Sequence, residues 1–488
     1  MLQLLPPDDC QRLLDFFSEA GYTFEAMSGH GYLQERASHR FGAGAVKYLL
    51  EKTAEPTASH TLARWFAVGV PVPAAVAHER LPAWVTELLL KSGMIRRNAD
   101  QLAPSVMLSP LGTMLVASDP VLKWENDASD FVVWPHSSAR QLLNFTIRKP
   151  FSSALDLGCG CGIQALGAAS HCEIVVATDL NPRAALFTAF NARLNGIANV
   201  ECVSGDLYAP VAGRRFDLIV MNPPFFISPE SGLLYCENPL ELDLFCRRVA
   251  REAPQYLNES GFLQMVCEWV EIKDQPWRER VAEWLDSSGC DAWIIRQYTS
   301  TPLQYGADRT QQRPPGTHPE GGEFFANWVD YVQEKKITAV HGGLITMRKR
   351  SGANWLRIED EPVSIDSVKG DLILKGFEVR DALDSASDAA LMEIRPRLAP
   401  DARLVQQLGQ SDQGWSAQSL RLHLASLRPR QIDIDPNVAQ FVVRFNGSAS
   451  LGDLIRELAG RANAPMEQVA RESVALTRKL LDEGYLVI

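Results

Sequence analysis

A four-residue stretch, Asn222-Pro223-Pro224-Phe225, combines residue types that could align a planar nitrogen for chemistry. It follows the apolar run Phe216–Met221, which we predict to be a short buried strand. Two prolines stop a strand abruptly and stiffen the turn, and a proline biases the preceding residue to an extended conformation. An amide carbonyl held at a strand end can accept hydrogen bonds from an –NH2 group, and a phenyl ring beside it can stack on a flat substrate. Alone, the tetrapeptide also fits an ordinary turn.

A glycine-rich turn and two acids precede this stretch, each after a strand-like segment. The turn begins with Asp156 at a strand end and carries Gly158, Gly160 and Gly162. Its spacing is not the Gly-x-Gly-x-x-Gly of dinucleotide sites, but glycines still let the backbone approach a ligand closely. Asp179 ends the second strand, where a carboxylate can accept both ribose hydroxyls. Asp206 follows the third strand and could accept the amino group of an adenine ring.

Strand and helix signals alternate from Ser153 onward, as in a doubly wound α/β sheet. We predict strands at Ala154–Leu157, Ile174–Asp179, Asn199–Val203, Phe216–Met221, Gly261–Glu268, Ala292–Tyr298 and Gly343–Arg348. Predicted helices run over Ile163–Ser170, Pro182–Leu194 with Asn181 as its cap, Leu240–Leu257 and Val281–Ser287. Residues 300–340 separate the last two strands and form an insertion, which is either part of a substrate lid or a disordered loop.

In this order, the motifs of residues 123–350 resemble those of class I S-adenosylmethionine-dependent methyltransferases, in the group that methylates amino nitrogens. The resemblance implies a Rossmann-like, seven-stranded α/β domain with S-adenosyl-L-methionine as cofactor. It also implies a cofactor loop of Asp156, Gly158, Gly160 and Gly162, with Asp179 on the ribose, Asp206 on the adenine, and Asn222 beside the cofactor. The catalytic motif would be Asn222, Pro223, Pro224 and Phe225.

The layout is most similar to release-factor glutamine methyltransferases and to small-domain rRNA guanine-N2 methyltransferases. The former usually carry Tyr at the position of Phe225, and the latter usually carry His at the position of Phe226. The expected acceptor is thus a planar amide or exocyclic amine of a macromolecule, either protein glutamine or an rRNA or DNA base. A small-molecule acceptor is an alternative, and so is a non-catalytic binding protein built on a methyltransferase-like scaffold.

The site implies a mechanism of positioning. Asn222 Oδ1 and the Pro223 carbonyl would accept the two N–H hydrogens of the acceptor and direct its lone pair at the methyl group. Phe225 would stack on the amide or base plane. The segment Phe131–Arg140 could cover the front of the cofactor pocket, where His136 and Arg140 are more often solvated than ligand-binding. Glu268 could line the pocket or lie on the surface.

We predict three domains: residues 1–118, 119–350 and 351–488. The first shows helices, one of them over Val72–Val76, followed by a hairpin, which is typical of a winged helix. The last is α+β, with predicted strands at Asn354–Ile358, Leu372–Val379 and Tyr485–Ile488 and a second winged-helix-like helical part. Nucleic-acid binding by these modules is possible, but neither has the basic surface that phosphate contacts need, so packing or protein binding is favoured.

The composition bounds the class of protein. With 488 residues, 46% hydrophobic and 22% charged, the chain can bury large cores, and its net charge of −11 argues against a generally basic nucleic-acid binder. No signal-peptide or membrane-spanning pattern is visible. The nine cysteines include one close pair, Cys159 and Cys161, and no Cys-x-x-Cys. We therefore expect reduced thiols, no metal site and a cytoplasmic protein, while the oligomeric state is undetermined.

Overall fold

The computed structural model describes residues 2–29, 43–120, 123, 128–360, 369–411, 414–424 and 430–487. The chain divides into two compact units, one of residues 1–143 with 148–362 and one of residues 144–147 with 363–488. Residues 1–118 thus share a unit with the α/β region, and their separation into a domain of their own stays a prediction. No helix in the described ranges is long and apolar enough to cross a membrane.

The N-terminal part of the first unit is mainly helical. Its helices are α1 (Pro7–Glu19), α2 (Phe24–Gly29), α3 (Ala43–Lys52), α4 (Ala58–Ala63), which runs into a π-helical turn (Arg64–Val68), α5 (Ala74–Arg80) and α6 (Ala83–Lys91). Its strands are β1 (Val72–Pro73), β2 (Ile95–Asn98), β3 (Gln101–Pro104), β4 (Met107–Leu111) and β5 (Met114–Ser118). The first three form an antiparallel sheet in the order β1-β3-β2, and the last two form a hairpin.

The helix predicted from Val72 is wrong at its start, because Val72 and Pro73 pair with β3 instead. A helix begins only at Ala74. The winged-helix assignment stays a prediction.

One large sheet organises the rest of the first unit. Its strands are β6 (Phe151–Leu157), β7 (Cys172–Asp179), β8 (Val200–Ser204), β9 (Phe216–Met221), β10 (Leu257–Ile272), β11 (Cys290–Ser300), β12 (Ile337–Lys349) and β13 (Leu356–Asp360). Their order is β13-β11-β12-β10-β9-β6-β7-β8, with β12 antiparallel to both neighbours and the other pairings parallel. The fold is therefore the expected Rossmann-like α/β sheet. Strand β13, predicted to belong to the C-terminal domain, adds an eighth strand beside β11.

Helices and two 3₁₀ turns connect these strands. They are α7 (Ser137–Phe145), α8 (Ile163–Ala168), α9 (Pro182–Leu194), α10 (Leu244–Glu252), α11 (Trp277–Leu285), α12 (Pro302–Gln312) and α13 (Gly321–Lys335), with 3₁₀ turns at Ala209–Val211 and Ala253–Gln255. The predicted cap of α9 is confirmed, since Asn181 Oδ1 accepts a bond from the Arg183 N–H at 3.0 Å. The helix predicted from Leu240 begins only at Leu244, because residues 222–243 form a long loop.

A buried asparagine on α9 joins the N-terminal part to the sheet. The side chain of Asn191 accepts a bond from the Ala117 N–H of β5 and donates to the Ala117 carbonyl, both at 2.8 Å. It also donates to the Cys161 carbonyl at 2.8 Å, in the glycine-rich turn. The Asn191 amide thus satisfies both backbone groups of Ala117 at the edge of the β4–β5 hairpin and the Cys161 carbonyl in the turn after β6.

The second unit is α+β. Its helices are α14 (Gly370–Ser385), α15 (Asp388–Glu393), α16 (Pro436–Val442), α17 (Leu451–Ala462) and α18 (Met466–Asp482). Strands β15 (Ala402–Ser411), β16 (Gly414–Leu424) and β17 (Arg430–Asp433) form an antiparallel sheet, and β14 (Arg397–Leu398) pairs with β18 (Leu486–Val487). The strand predicted at Leu372–Val379 is wrong. Helix α14 lies there, and its buried Ile373 and Phe377 are four residues apart, a helical spacing. Ile488, predicted to end the last strand, lies outside the described residues.

Candidate active site

A cavity of about 320 Å³ lies at the carboxyl ends of β6, β7 and β9, the edge at which open α/β sheets bind ligands. Its volume is within the range of small-molecule pockets, roughly 300–1,000 Å³. Of the residues that we assigned to the cofactor loop, the two acids and the catalytic motif, six line it: Gly158, Gly160, Asp179, Asp206, Asn222 and Pro224. Asp156, Gly162, Pro223 and Phe225 do not.

The glycine-rich turn folds back over the end of β7. Gly158 and Gly160 have φ values of 78° and 54°, in the left-handed region that side chains disfavour. The Gly158 N–H donates to the Thr178 carbonyl at 2.8 Å, and the Gly160 N–H donates to Asp179 Oδ2 at 2.9 Å. Gly162 serves packing instead, because a Cβ atom there would lie 2.8 Å from the Thr188 side chain on α9.

Asp179 presents its carboxylate to this cavity. Besides the bond from Gly160, its Oδ1 accepts the Asn181 N–H at 2.8 Å. Burial raises the pKa of Asp179 above its ordinary value, and the two backbone bonds oppose that rise. An ionised carboxylate has about four acceptor positions, so the two oxygens retain lone pairs for hydroxyl donors. Asp206 lines the cavity on an exposed turn after β8.

Asn222 is held by a residue that sequence reasoning missed. Its Oδ1 accepts a hydrogen bond from Ser138 Oγ on α7 at 3.2 Å. Ser138 Oγ also lies 3.3 Å from His136 Nδ1, and His136 lines the cavity. The sequence indicated that Phe131–Arg140 could cover the pocket, but nothing local indicated which of its side chains would reach Asn222, 84 positions from Ser138.

The aromatic side chains at the cavity differ from the predicted one. Phe225 packs against the apolar core of the sheet, and the Pro224 carbonyl accepts a bond from Asn238 Nδ2 at 2.8 Å. The rings that line the cavity belong to Phe131, Trp134, Tyr235 and Phe245. Phe131 packs edge-on against both Trp134 and Tyr235, with centroid distances of 5.9 and 5.8 Å.

The segment expected to cover the pocket front does line it, with residues 131–134. An ion pair secures this segment to α9: Arg183 Nη2 lies 2.5 Å from Asp119 Oδ1, and Asp119 Oδ2 accepts the Val132 N–H at 2.9 Å. Asn181 Nδ2 adds a bond to the Asp130 carbonyl at 2.8 Å. The N-terminal end of α9 therefore supports both Asp179 and the front wall.

Sequence comparison supports the geometry. The family model of the methyltransferase small domain matches residues 136–273. The ribosomal protein uL3 glutamine methyltransferase of Xanthomonas campestris pv. campestris is 30% identical over 215 residues, which is 39% of this chain and 67% of that protein. The chain belongs to the methyltransferase small domain family. It is an S-adenosylmethionine-dependent N-methyltransferase.

Other relatives of this methyltransferase are matched over shorter stretches. The electron transfer flavoprotein beta subunit lysine methyltransferase of Danio rerio is 37% identical, over 20% of this chain and 38% of that protein. The release factor glutamine methyltransferase of Cereibacter sphaeroides is 33% identical, over 26% of this chain and 51% of that protein. The crystal structure of a methyltransferase from Pyrococcus furiosus matches with a TM-score of 0.27 and 19% identity, over 44% of this chain and 82% of that one. The family assignment rests on the sequence matches.

The cavity of the methyltransferase suits its cofactor, S-adenosylmethionine. Gly158 and Gly160 add no side chains to the wall beside Asp179, and the Asp179 carboxylate offers acceptors for vicinal hydroxyls. Cys159 and Cys161 are buried, and burial raises the pKa of Cys161 to about 12, so both thiols stay protonated. In the ranges that the structure covers, no group of three or more His, Cys, Asp or Glu side chains is arranged to hold a metal ion.

Glu268, which was expected either to line the pocket or to lie on the surface, does neither. It is 0% exposed and does not line the cavity. Its carboxylate pairs with Arg309 and accepts the hydroxyls of Tyr298 and Tyr305, each at 2.5 Å. It thus ties the 300–340 insertion to the sheet.

Removing the Ser138 hydroxyl should impair transfer without impairing cofactor binding. In Ser138→Ala the Asn222 amide loses a bond that fixes its orientation, so we expect kcat to fall about tenfold. The dissociation constant for S-adenosylmethionine, measured by calorimetry, should not change. Ser138→Thr keeps the hydroxyl and should restore most of the rate. Equal rates for Ser138→Ala and the wild type would contradict this role.

Asp156 bonds to α8, the helix that follows the glycine-rich turn, and its buried carboxyl group should make the stability of the protein depend on pH. Its Oδ2 accepts the Ala165 N–H at 2.8 Å, and burial raises its pKa from 3.8 to about 7. The folded state therefore holds a proton that the unfolded state has lost between about pH 4 and pH 7. Across that window this group should lower the free energy of unfolding as pH rises, by an amount on the order of 4 kcal/mol.

Asp156→Asn is the matched variant, because its amide oxygen can still accept the Ala165 N–H but cannot ionise. Urea unfolding from pH 4.5 to 8 should show the wild type losing stability relative to Asp156→Asn as pH rises. Parallel curves for the two proteins would show that Asp156 does not titrate in this range.

Proposed function

We propose that this enzyme methylates the side-chain amide nitrogen of glutamine in a protein. The observation that carries the proposal is the Asn222 amide, which lines the cavity at the end of β9 and is oriented by Ser138. Two of the relatives are named glutamine methyltransferases, one acting on ribosomal protein uL3 and one on a release factor. The net charge of −11 favours a protein acceptor over RNA, since RNA binding depends on a basic surface.

We assign the cofactor to Gly158, Gly160, Asp179 and Asp206. When bound, it supplies a methyl group made electrophilic by the sulfonium. Asp179 would hold the ribose hydroxyls and Asp206 the adenine amino group. Asp156 and Gly162 would support the cofactor site without lining it. Asp156 accepts the Ala165 N–H, and Gly162 lets the glycine-rich turn pack on Thr188.

The chain's own groups then position the acceptor. Asn222 Oδ1 accepts one amide N–H of the acceptor, which directs the nitrogen lone pair at the methyl group. The Pro223 carbonyl, predicted to accept the other N–H, belongs to a buried residue outside the cavity lining. The Asn222 oxygen also favours the positive charge that develops on nitrogen, and the nitrogen loses its extra proton after the transfer. The Pro224 carbonyl is held by Asn238, which keeps the turn rigid. Trp134 and Tyr235 line the same cavity as Asn222 and offer aromatic rings to a planar amide, while Phe225 packs in the core behind the turn.

The described cysteines are all free thiols, which fits a reducing compartment such as the cytoplasm.

The acceptor can be identified from the fate of the label. The enzyme is incubated with tritiated S-adenosylmethionine and, separately, purified uL3, a purified release factor and protein-free rRNA. Acid hydrolysis of a protein labelled on a glutamine amide cleaves the amide and releases tritiated methylamine, which becomes volatile when the hydrolysate is made alkaline. We expect volatile label from a protein and none from RNA. Non-volatile label would place the methyl group on lysine or another site, and label in RNA would identify a base acceptor.

Two variants separate catalysis from cofactor binding in the same assay. Asn222→Ala should bind S-adenosylmethionine as the wild type does and lose transfer by at least about 100-fold. Asp179→Ala should weaken cofactor binding. If Asp179→Ala binds the cofactor as tightly as the wild type does, Asp179 does not hold the ribose, and if Asn222→Ala transfers methyl groups at the wild-type rate, Asn222 does not align the acceptor.

A further inference from the structure

Residues 224–243, which follow the Asn222-Pro223 turn and precede α10, form one wall of the cavity. We call this segment the acceptor loop. It contributes Pro224, Leu234, Tyr235 and residues 237–240 to the lining. At this length, a loop without helix or strand needs outside support to keep one conformation.

Residues 301–336 of the insertion, which contain α12 and α13, supply that support through several contacts. The Tyr305 hydroxyl accepts the Ile227 N–H at 2.9 Å, and the Tyr331 hydroxyl accepts the Leu242 N–H at 2.8 Å. Between them, Arg313 Nη1 lies 2.5 Å from Glu237 Oε1, in a pair whose side chains are 6% and 3% exposed. The acceptor loop is therefore bonded to the insertion near both ends and at its cavity-lining middle.

The Tyr305 hydroxyl also joins the insertion to the sheet. It donates to Glu268 Oε2 on β10 at 2.5 Å, while it accepts from Ile227. Arg309 pairs with the same carboxylate, and its guanidinium carbon lies 3.6 Å from the centroid of the Phe226 ring. A continuous set of contacts thus runs from β10 through α12 to the residues that directly follow the Asn222-Pro223-Pro224-Phe225 motif.

These polar contacts are better suited to fixing geometry than to adding stability. A buried ion pair loses hydration on burial, and an apolar pair of the same volume is often at least as stable. The insertion already has an apolar base, where Tyr305, Trp328 and Tyr331 pack with Ile227 and Val270. The hydroxyls and charges select one position of the acceptor loop on this base.

We propose that the insertion is the acceptor-positioning element of this enzyme, and that Tyr305 is its central positioning residue. The hydroxyl fixes the backbone at Ile227 relative to the sheet and so sets the distance between the acceptor loop and Asn222. This inference rests on the proposed function, because it takes the amide-binding side of the cavity to be the one that the loop lines. It gives the 300–340 region the role of a fixed support behind the cavity wall that the acceptor loop forms.

Tyr305→Phe in the full chain tests the inference, since it removes both hydrogen bonds and keeps the ring. The rate is measured with tritiated S-adenosylmethionine and a protein extract from cells that lack the gene. We expect kcat/KM, measured from the total tritium transferred to the extract, to fall about tenfold. The affinity for the cofactor, measured by calorimetry, should not change. The Ile227 amide should exchange hydrogen faster. Unchanged kcat/KM, or a matching loss of cofactor affinity, would overturn the proposal.

Tyr22→Phe is the matched control. Its hydroxyl is equally buried, at 1% exposure of the residue against 2% for Tyr305, and donates to the Leu108 carbonyl at 2.8 Å in the N-terminal part. In urea unfolding, Tyr22→Phe should lose about as much stability as Tyr305→Phe, but its rate of methyl transfer should stay at the wild-type value. An equal rate loss in both variants would refute a specific role for Tyr305. Non-volatile label from the wild type would refute the glutamine assignment alone, and the rate ratio would still decide the role of the insertion.

Discussion

The active site depends on the two backbone N–H groups that hold the Asp179 carboxylate. Gly160 donates from the turn after β6, and Asn181 donates from the cap of α9. These bonds connect two neighbouring parallel strands and the helix that follows them, and they act together with the bond from the Gly158 N–H to the Thr178 carbonyl in holding the glycine-rich turn over the end of β7. The Asp179 side chain is therefore the point at which the turn, the strand and α9 are joined.

The acceptor side is built differently, from contacts distant in sequence. Asn222 is oriented by Ser138, and the acceptor loop is held by Tyr305, Arg313 and Tyr331. The proposed cofactor side is held by a local turn and its neighbouring strands, whereas the proposed acceptor side is held by contacts with α7 and the insertion. This division gives a chain a physical means to change acceptor while keeping its cofactor site, since the two sides share few supporting residues.

Most of the central sheet follows from sequence patterns. Strands β6, β7 and β9 are apolar runs ended by an acid, a glycine turn or a proline, so both their type and their ends are visible locally. One error has a local cause. Leu372–Val379 is rich in branched apolar residues and looks like a strand, yet Ile373 and Phe377 bury one helical face. Strand β13 was predicted within the C-terminal domain, yet it pairs with β11, because that pairing is decided by the sheet edge rather than by its five residues.

The sequence by itself determined the order of glycine turn, Asp179, Asp206 and Asn222, because parallel strands bring their carboxyl ends to one edge of a sheet. Only the tertiary structure decided which of the predicted residues face the cavity. It placed Phe225 against the core of the sheet, Asp156 in a hydrogen bond with the Ala165 N–H on α8, and Glu268 in an ion pair with Arg309 of the insertion. It also brought Ser138 to Asn222. Such contacts join segments tens of residues apart, and their geometry depends on packing that no local pattern records.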